Sequence, residues 1–457
     1  MTYRIIIAGA GHGGLSAGII LARQGLDVSL HEACSRDALG HDWHDDFFLE
    51  TFQEADLPSP APGEYAIKCN VSFHGPDMRS VISTSVPEAR REIQMDRKAL
   101  YARLLTLAES AGVKLNFNSR VTGPLLHGQP ETVRGLIVNG KELAADLVID
   151  AAGVHSPVRR GLPAGYRIEP TILAPDIFYT YRAYYSLVPG KPCDPTRFNI
   201  HFLFDGIRGI AWFRVVDGLA DLFFGQISPL TPTRVDELLL AMKRVYPALG
   251  ETRMRGGQFN TIPIRRALPV FVGDGYAAVG DAACMAVPLT GSGIQNALVA
   301  GRMLADTARA ACASMPAKPF SARSLWSYEV AYYKKIGARM ASIDCIKRFL
   351  LDLPARDLDF ILAKRLIAEK EIIAASAGSR IQLGFKDMMG KLARGSSRLP
   401  LLLSLKKAVD RAGKAAVVAS SIPTVHDPEA IACWARELDE VMSPRETAGG
   451  WHRGRKA

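Results

Sequence analysis

The chain has 457 residues, 48% of them hydrophobic and 22% charged, a balance that excludes a disordered chain and fits a folded protein of two or three subdomains. The formal charge is +10, and Arg380 to Lys414 alone holds nine Lys or Arg against two Asp, but no helix-turn-helix, finger or RNA-binding signature accompanies it, so no nucleic-acid partner is expected. Seven scattered cysteines without a C-x-x-C pair argue against a zinc knot or a disulfide framework and for a reducing cytoplasm, and no window is apolar for long enough to span a membrane.

The first elements lie in "YRIIIAGAGHGGLSAGIILARQGLDVSLHEA". Ile5, Ile6 and Ile7 suit a buried parallel strand. Gly9, Gly11 and Gly14 then form G-x-G-x-x-G: the first glycine permits a tight bend, the second a close backbone approach to a pyrophosphate, the third close helix–strand packing. The following helix points its N-terminus at the phosphates. A second strand ends at Glu32, whose carboxylate can accept hydrogen bonds from ribose hydroxyls. This context predicts a bound dinucleotide without choosing between FAD and NAD. The apolar start is therefore read as a nucleotide fold and not as a signal peptide.

Next comes "LGHDWHDDFFLE", Leu39 to Glu50, with two histidines and three aspartates. His41, His44 and the aspartates are competent metal ligands, but their spacing is poor for one ion, and no metal is expected. Gly40 suggests a loop entering a helix, which Asp42 or Asp45 would cap. Catalysis is the third reading.

"QMDRKALYARLLTLAESAGVKLNFNSRV", Gln94 to Val121, reads as a helix and a strand, with Arg97 at the helix start. Residues 165–265 carry aromatic, alternating stretches such as "IFYTYRAYYSLV" and "GIAWFRVV", which predict an antiparallel sheet. Tyr179, Tyr181, Tyr184, Phe202, Trp212 and Phe224 are expected to pack there, and together they could wall an apolar pocket. In "VFVGDGYAAVGDAACMAVPLTGSGIQNALVAG" a strand delivers Asp281 at its C-terminal end, where open α/β sheets place ligands. Pro288, Gly291 and Gly293 then precede Ile294 and a long helix, a second glycine-rich turn at a helix N-terminus.

With "VIDAAGVHSPVRR", Val148 to Arg160, these ordered motifs resemble the FAD-dependent proteins of the para-hydroxybenzoate hydroxylase type, over about two thirds of the chain. Within that family "GDAACMAVPLTGSGIQNALVAG" is most similar to the geranylgeranyl reductase branch. The resemblance implies FAD. Gly9, Gly11, Gly14 and Glu32 would hold its ADP half, Arg97 its middle, Val121 the adenine and Asp281 the ribityl chain. Pro288, Gly291, Gly293 and Ile294 would flank the ring, with backbone N–H groups stabilising negative charge on its reduced form. The loop after the second strand would run past the ring, so His41 or His44 is expected to be the proton donor. The family's A-D-G reads Ala151-Ala152-Gly153 here, which puts NADPH in doubt as direct electron donor and leaves a redox protein as the other choice. The W-x-W-x-I-P segment of the halogenases is absent from "GIAWFRVVDG", against halogenation.

The implied fold class is α/β: a Rossmann-type FAD-binding domain with a parallel sheet, an antiparallel substrate domain and a helical C-terminal region. The expected divisions are 1–165 (with substrate-domain strands within about 62–95), 166–265, 266–316 and 317–457. In the last, Leu402, Leu405, Val409, Ala412 and Ala416 form one helical stripe, and Lys407, Asp410, Arg411 and Lys414 another. That is either an ordinary helix packed on the core or a peripheral contact with an anionic membrane at its inner, cytoplasmic face. The expected activity is reduction of carbon–carbon double bonds in a small apolar, prenylated substrate. The alternative is a flavin monooxygenase hydroxylating an aromatic or apolar molecule.

Overall fold

The computed structural model describes residues 3–68, 70–86, 88, 91–367, 371 and 394–442. Its nucleotide-binding layer is a six-stranded sheet ordered Val272–Gly273, Tyr276–Ala278, Leu147–Asp150, Arg4–Ala8, Asp27–His31, Lys114–Asn116. The triple isoleucine supplies its centre. Ile5 pairs in parallel with Leu147 on one side and Val28 on the other, and Ile5 and Ile7 are fully buried. A strand covered on both faces has no use for alternation, which is why the run is continuously apolar. All the parallel strands point their C-terminal ends one way, and the glycine turn emerges at that edge.

The helix Arg97–Ala111 is fixed at both ends. Asp96 accepts from the Ala99 N–H at 3.1 Å, and Gly112 stops it with φ +93°.

Above that edge lies a seven-stranded sheet, ordered Leu249–Pro263, Ile177–Leu187, Leu219–Gln226, Gly209–Val216, Arg197–Phe202, Asn70–His74, Val81–Ser85. Its pairings are antiparallel except one: Arg197–Phe202 runs parallel to Asn70–His74. The early segment joins the far side of the later sheet, so the sheet is mixed where alternation alone predicts an antiparallel one. Tyr181, Tyr184 and Phe224 are buried in it, while Tyr179, Phe202 and Trp212 are half-buried.

Helices follow at Ala322–Tyr332, Ala338–Asp352, Ala355–Ala363, Leu399–Ser420 and Pro428–Met442. The helix Leu399–Ser420 buries Leu402 and Ala412, half-buries Leu405, Val409 and Ala416, and exposes Lys407, Asp410, Arg411 and Lys414. The two stripes read from sequence are both present, with the apolar one packed inward. Residues 380–393 of the basic window lie outside the described residues. Among the described residues no helix is long and apolar enough to cross a membrane.

Candidate functional site

The glycine turn is held by the neighbouring chain segment. A Cβ on Gly9 would sit 2.8 Å from the Ala151 carbonyl oxygen, and one on Gly11 would sit 2.7 Å from the same atom. A Cβ on Gly14 would meet Ala151 Cβ at 2.6 Å and Ile7 Cγ2 at 2.9 Å, the close helix–strand packing expected of the third glycine. The constraint on Gly11 visible within the protein is thus the crossing strand end at Ala151.

Glu32 closes the turn. Its Oε2 accepts from the Ala10 N–H and its Oε1 from the Cys34 N–H, both at 2.8 Å. An ionised carboxylate offers about four lone-pair sites, so further acceptor capacity remains. Ser119 N–H bonds the Glu32 carbonyl at 2.8 Å, which brings the segment leading into Val121 to the same edge.

Asp281 stands at the end of Tyr276–Ala278 in the short turn Gly280–Ala283. Burial pushes its carboxyl up to about 6, with Arg97 opposing. A Cβ on Gly293 would lie 3.4 Å from Asp281 Oδ1, so the carboxylate and the second glycine-rich turn are neighbours. Gly291 takes φ +73°, and Gly293 caps the helix Ile294–Ser314, leaving first-turn N–H groups without helical partners. The two halves of the site therefore meet at one sheet edge: a turn too tight for any side chain, a carboxylate beside it, and a second turn with free donors. This is a fit for an extended dinucleotide such as FAD, whose phosphates suit the first helix N-terminus.

The stretch "GHDWHDD" does not enter a helix. His44–Phe47 is a strand, paired antiparallel with Ile93–Asp96, and the helix that follows is only Glu50–Glu54, with Leu49 at its cap position and no side-chain cap. Long-range strand pairing overrides the local helix signal. The aspartates each meet arginine. Asp42 Oδ1 accepts from Arg255 Nε at 3.1 Å, Asp45 takes Arg97 in a two-pronged contact at 2.5 and 2.6 Å, and Asp46 takes Arg214 at 2.9 and 3.0 Å. Among the described residues no group of three or more His, Cys, Asp or Glu is placed to hold a metal.

A cavity of about 190 Å³ opens between this strand and the second glycine turn. Trp43, Asp45, Asp46 and Arg97 line one side, Gly291 to Ile294 another, and Phe198, Trp212 and Phe223 a third. Beneath it lies a charge web that sequence reasoning missed. Asp221 is fully buried and accepts from Arg182 at 2.6 and 2.8 Å and from Arg214 at 2.7 Å. Those two guanidiniums hold the Asp221 carboxyl below its usual range against burial. Lys68 pairs with Glu92 and lies 3.4 Å from Asp46. Lys68, Arg97, Arg182 and Arg214 thus balance Asp45, Asp46, Glu92 and Asp221, so the pocket floor carries polar density without net charge. The only hint in sequence was an arginine in each of two strands otherwise rich in apolar residues.

The histidines sit differently from one another. His41 stacks on Trp43, centroids 4.2 Å apart, and burial with Arg97 lowers its imidazole to about 4. Trp43 lines the cavity, so His41 touches one of its wall residues. His44 turns away: its Nδ1 is 3.1 Å from Tyr184 Oη and its Nε2 3.3 Å from the exposed Asp217 carboxylate. Burial lowers its pKa too, with Arg255 assisting. Neither is charged at neutral pH.

A second, larger cavity of about 560 Å³ adjoins the first. Phe178 and Phe202 of the sheet form one wall, and Ile346, Leu350, Leu402 and Leu405 of the C-terminal helices form the other. Pro288 and Leu289 reach it from the second glycine turn, and Ile210 borders both cavities. Of the aromatics expected to wall an apolar pocket, Phe202 lines this space; the rest of its wall comes from segments far apart in the chain, so no local pattern marked it.

Residues 89–307 match the family model described as FAD dependent oxidoreductase. The chain is 23% identical to a digeranylgeranylglycerophospholipid reductase of Sulfolobus acidocaldarius, covering 97% of this chain and 98% of the relative. It is 30% identical to the enzyme of the same name from Methanosphaerula palustris, over 67% of this chain and 76% of that one. In fold it is similar to a geranylgeranyl bacteriochlorophyll reductase-like protein of Thermoplasma acidophilum, with a TM-score of 0.68, 20% identity and coverage of 89% and 99%. A flavin-dependent brominase shares the fold at a TM-score of 0.60 and 16% identity, covering 87% and 99%.

Proposed function

We propose that this chain, which belongs to the FAD-dependent oxidoreductase family of the digeranylgeranylglycerophospholipid reductases, reduces carbon–carbon double bonds in the apolar chain of a prenyl lipid. The observation that carries this reading is the pair of cavities meeting at Ile210. A space of about 560 Å³ walled mostly by aliphatic and aromatic side chains, with Lys347, Glu371, Lys406 and Asp410 also lining it, suits a long hydrocarbon better than a small polar aromatic. It leads to a smaller pocket with balanced charge, which does not select for an ionic group.

Gly9, Gly11, Gly14 and Glu32 hold the ADP half of FAD, Val121 lies by the adenine, Arg97 by the middle, and Asp281 by the ribityl chain. Pro288, Gly291, Gly293 and Ile294 border the ring. Bound FAD, once reduced, supplies hydride to one alkene carbon. The protein's part is to hold the alkene dry against Trp212 and Phe223 and to bring a proton to the other carbon. Of the two histidines, His44 faces Tyr184 and Asp217, while His41 stacks on Trp43, which lines the smaller cavity, and is the better placed for that transfer. As a neutral imidazole it carries both a donor and an acceptor and relays a proton from water without storing charge. His44 is a positioning residue: Tyr184 holds its backbone N–H at 2.9 Å and Arg182 its carbonyl, which fixes Trp43 beside it. With Ala152 in place of the aspartate, a redox protein suits the chain as electron donor better than NADPH.

The substrate reaches the larger cavity from a membrane surface. Leu402, Leu405 and Val409 wall that cavity, while the same helix turns Lys407, Arg411 and Lys414 outward with exposed Leu399, Leu403 and Val417.

The test is oxygen uptake with a geranylgeranyl lipid as substrate. Product formed with no matching oxygen consumption supports a reductase. Uptake of one oxygen molecule per product, with oxygen found in the product, would replace it with a monooxygenase.

A further inference from the structure

The turn joining the strands Arg197–Phe202 and Gly209–Val216 holds a bulky residue in a backbone shape that side chains rarely take. Leu203 has φ +50° and ψ +34°, and Asp205 and Gly206 are left-handed too, at φ +47° and +80°. For a residue with a Cβ this conformation is unfavourable and persists only where the surroundings impose it. Two backbone hydrogen bonds impose it here. The Leu203 N–H donates to the Gly209 carbonyl at 3.0 Å, and the Leu203 carbonyl accepts from the Gly206 N–H at 3.1 Å. Glycine or asparagine would fit this position with less strain, so the choice of leucine is a choice of side chain.

The left-handed step decides where that side chain goes. Along a strand, neighbours point to opposite faces. Ile200 lines the smaller cavity and Phe202 the larger, while His201 between them turns to the other face, where its Nε2 lies 2.8 Å from Tyr246 Oη. Continued alternation would send Leu203 to the His201 side. Instead Leu203 lines the larger cavity beside Phe202, and Phe204 takes the place on the other face, its ring 5.4 Å from that of His201. Leu203 there packs against the cluster that joins Val71 and Phe73 of the sheet to Leu358 and Leu362 of the helix Ala355–Ala363. The turn is also tied to the helical wall, since Arg208 Nη2 donates to the Leu351 carbonyl at 3.2 Å and to Asp352 Oδ1 at 2.9 Å. The side chain is thus fixed relative to both walls of the cavity.

We propose that Leu203 is a specificity-determining residue: the left-handed turn holds its side chain in the larger cavity as a stop, and that stop sets how long an isoprenoid chain the cavity takes. The proposal rests on the reading of that cavity as the seat of a prenyl chain, and adds to it the residue that measures the chain.

The experiment uses FAD-loaded protein, as wild type, Leu203→Gly, Leu203→Ala and Leu203→Phe. Each is titrated calorimetrically with fully saturated isoprenoid alcohols of three, four and five isoprene units, which bind without reacting. Wild-type affinity should rise with length up to a limit. In Leu203→Gly the limit should move up, with the longest alcohol gaining at least about tenfold over the shortest relative to the wild type, because the added unit now leaves water. In Leu203→Phe it should move down. Leu203→Gly should also melt above Leu203→Ala, the reverse of the order at an ordinary position, because glycine relieves the left-handed backbone. Length ratios within about twofold of the wild type in both Leu203→Gly and Leu203→Phe overturn the proposal and leave the lipid reading standing. A wild type that binds none of the alcohols overturns both. An alanine variant melting above the glycine one overturns the proposal too, because the turn would then not be what places the side chain. Should the variants not fold, the wild type decides alone: the longest alcohol it binds, carrying a diazirine at the chain terminus, must label Leu203 on illumination, and label confined to other residues overturns the proposal.

Discussion

Arg97 and Asp45 meet through two hydrogen bonds, Nε to Oδ2 at 2.5 Å and Nη2 to Oδ1 at 2.6 Å, where the strand His44–Phe47 meets the start of the helix Arg97–Ala111. The contact is largely buried, and Arg97 also donates its backbone N–H to the Trp43 carbonyl at 2.9 Å. It therefore fixes the wall of the smaller cavity.

Removing one member leaves the other charge buried and alone. Asp45→Asn or Arg97→Met should cost about 3–5 kcal/mol of stability, less to the extent that water reaches the site. Arg97→Lys should recover little, because an ammonium cannot reproduce the planar two-pronged contact. Urea unfolding of the three variants checks this.

Ile210 is the residue common to both cavities. Ile210→Trp should leave FAD content unchanged and abolish turnover of a geranylgeranyl lipid, while a short prenyl alcohol that fits the smaller pocket is still reduced. Equal loss on both substrates would show that the cavities do not act in series.

His201 lies in the strand Arg197–Phe202, between the cavity-lining Ile200 and Phe202; it is fully buried, its Nδ1 has no partner, and burial, with His74 alongside, lowers its imidazole to about 3. The unfolded chain takes up a proton near pH 6.5 that the folded one refuses. Stability from this residue is therefore complete above about pH 6.5 and is lost as pH falls toward about 3, by up to about 1.4 kcal/mol per pH unit. Thermal or urea unfolding followed from pH 7 to 4 should show His201→Asn with a shallower slope than the wild type.

Much of the nucleotide half was legible because it is local. Gly9, Gly11, Gly14 and Glu32 fall within one strand–turn–helix–strand unit, and the turn before Ile294 announces itself by its glycines. The charge web was not legible because its partners are distant in sequence: Asp46 and Arg214 are 168 residues apart. Local signals also misled at His44–Phe47, where the residues that decide the conformation are those of the partner strand Ile93–Asp96. His41 and His44 look equivalent in sequence, yet one lies against Trp43 and the other faces Tyr184 and Asp217.

The helix Leu399–Ser420 presents Lys407, Arg411 and Lys414 to solvent, and Lys406 beside them pairs with Asp410 at 2.5 Å. Each basic residue near an anionic bilayer contributes about 1 kcal/mol. Co-sedimentation with vesicles containing anionic lipid should fall as salt rises, and should fall again when all four are changed to Gln. Binding indifferent to both would place the membrane contact elsewhere.

The central claim is hydride delivery from FAD to an isolated double bond, and anaerobic single turnover tests it most directly. Protein with fully reduced FAD is mixed with a geranylgeranyl lipid in the absence of oxygen, and flavin absorbance and product mass are followed together. The account predicts that the flavin is oxidised by the lipid at one equivalent per double bond and that the product gains two hydrogens. A flavin that stays reduced until oxygen is admitted, followed by a product that gains oxygen, would contradict it.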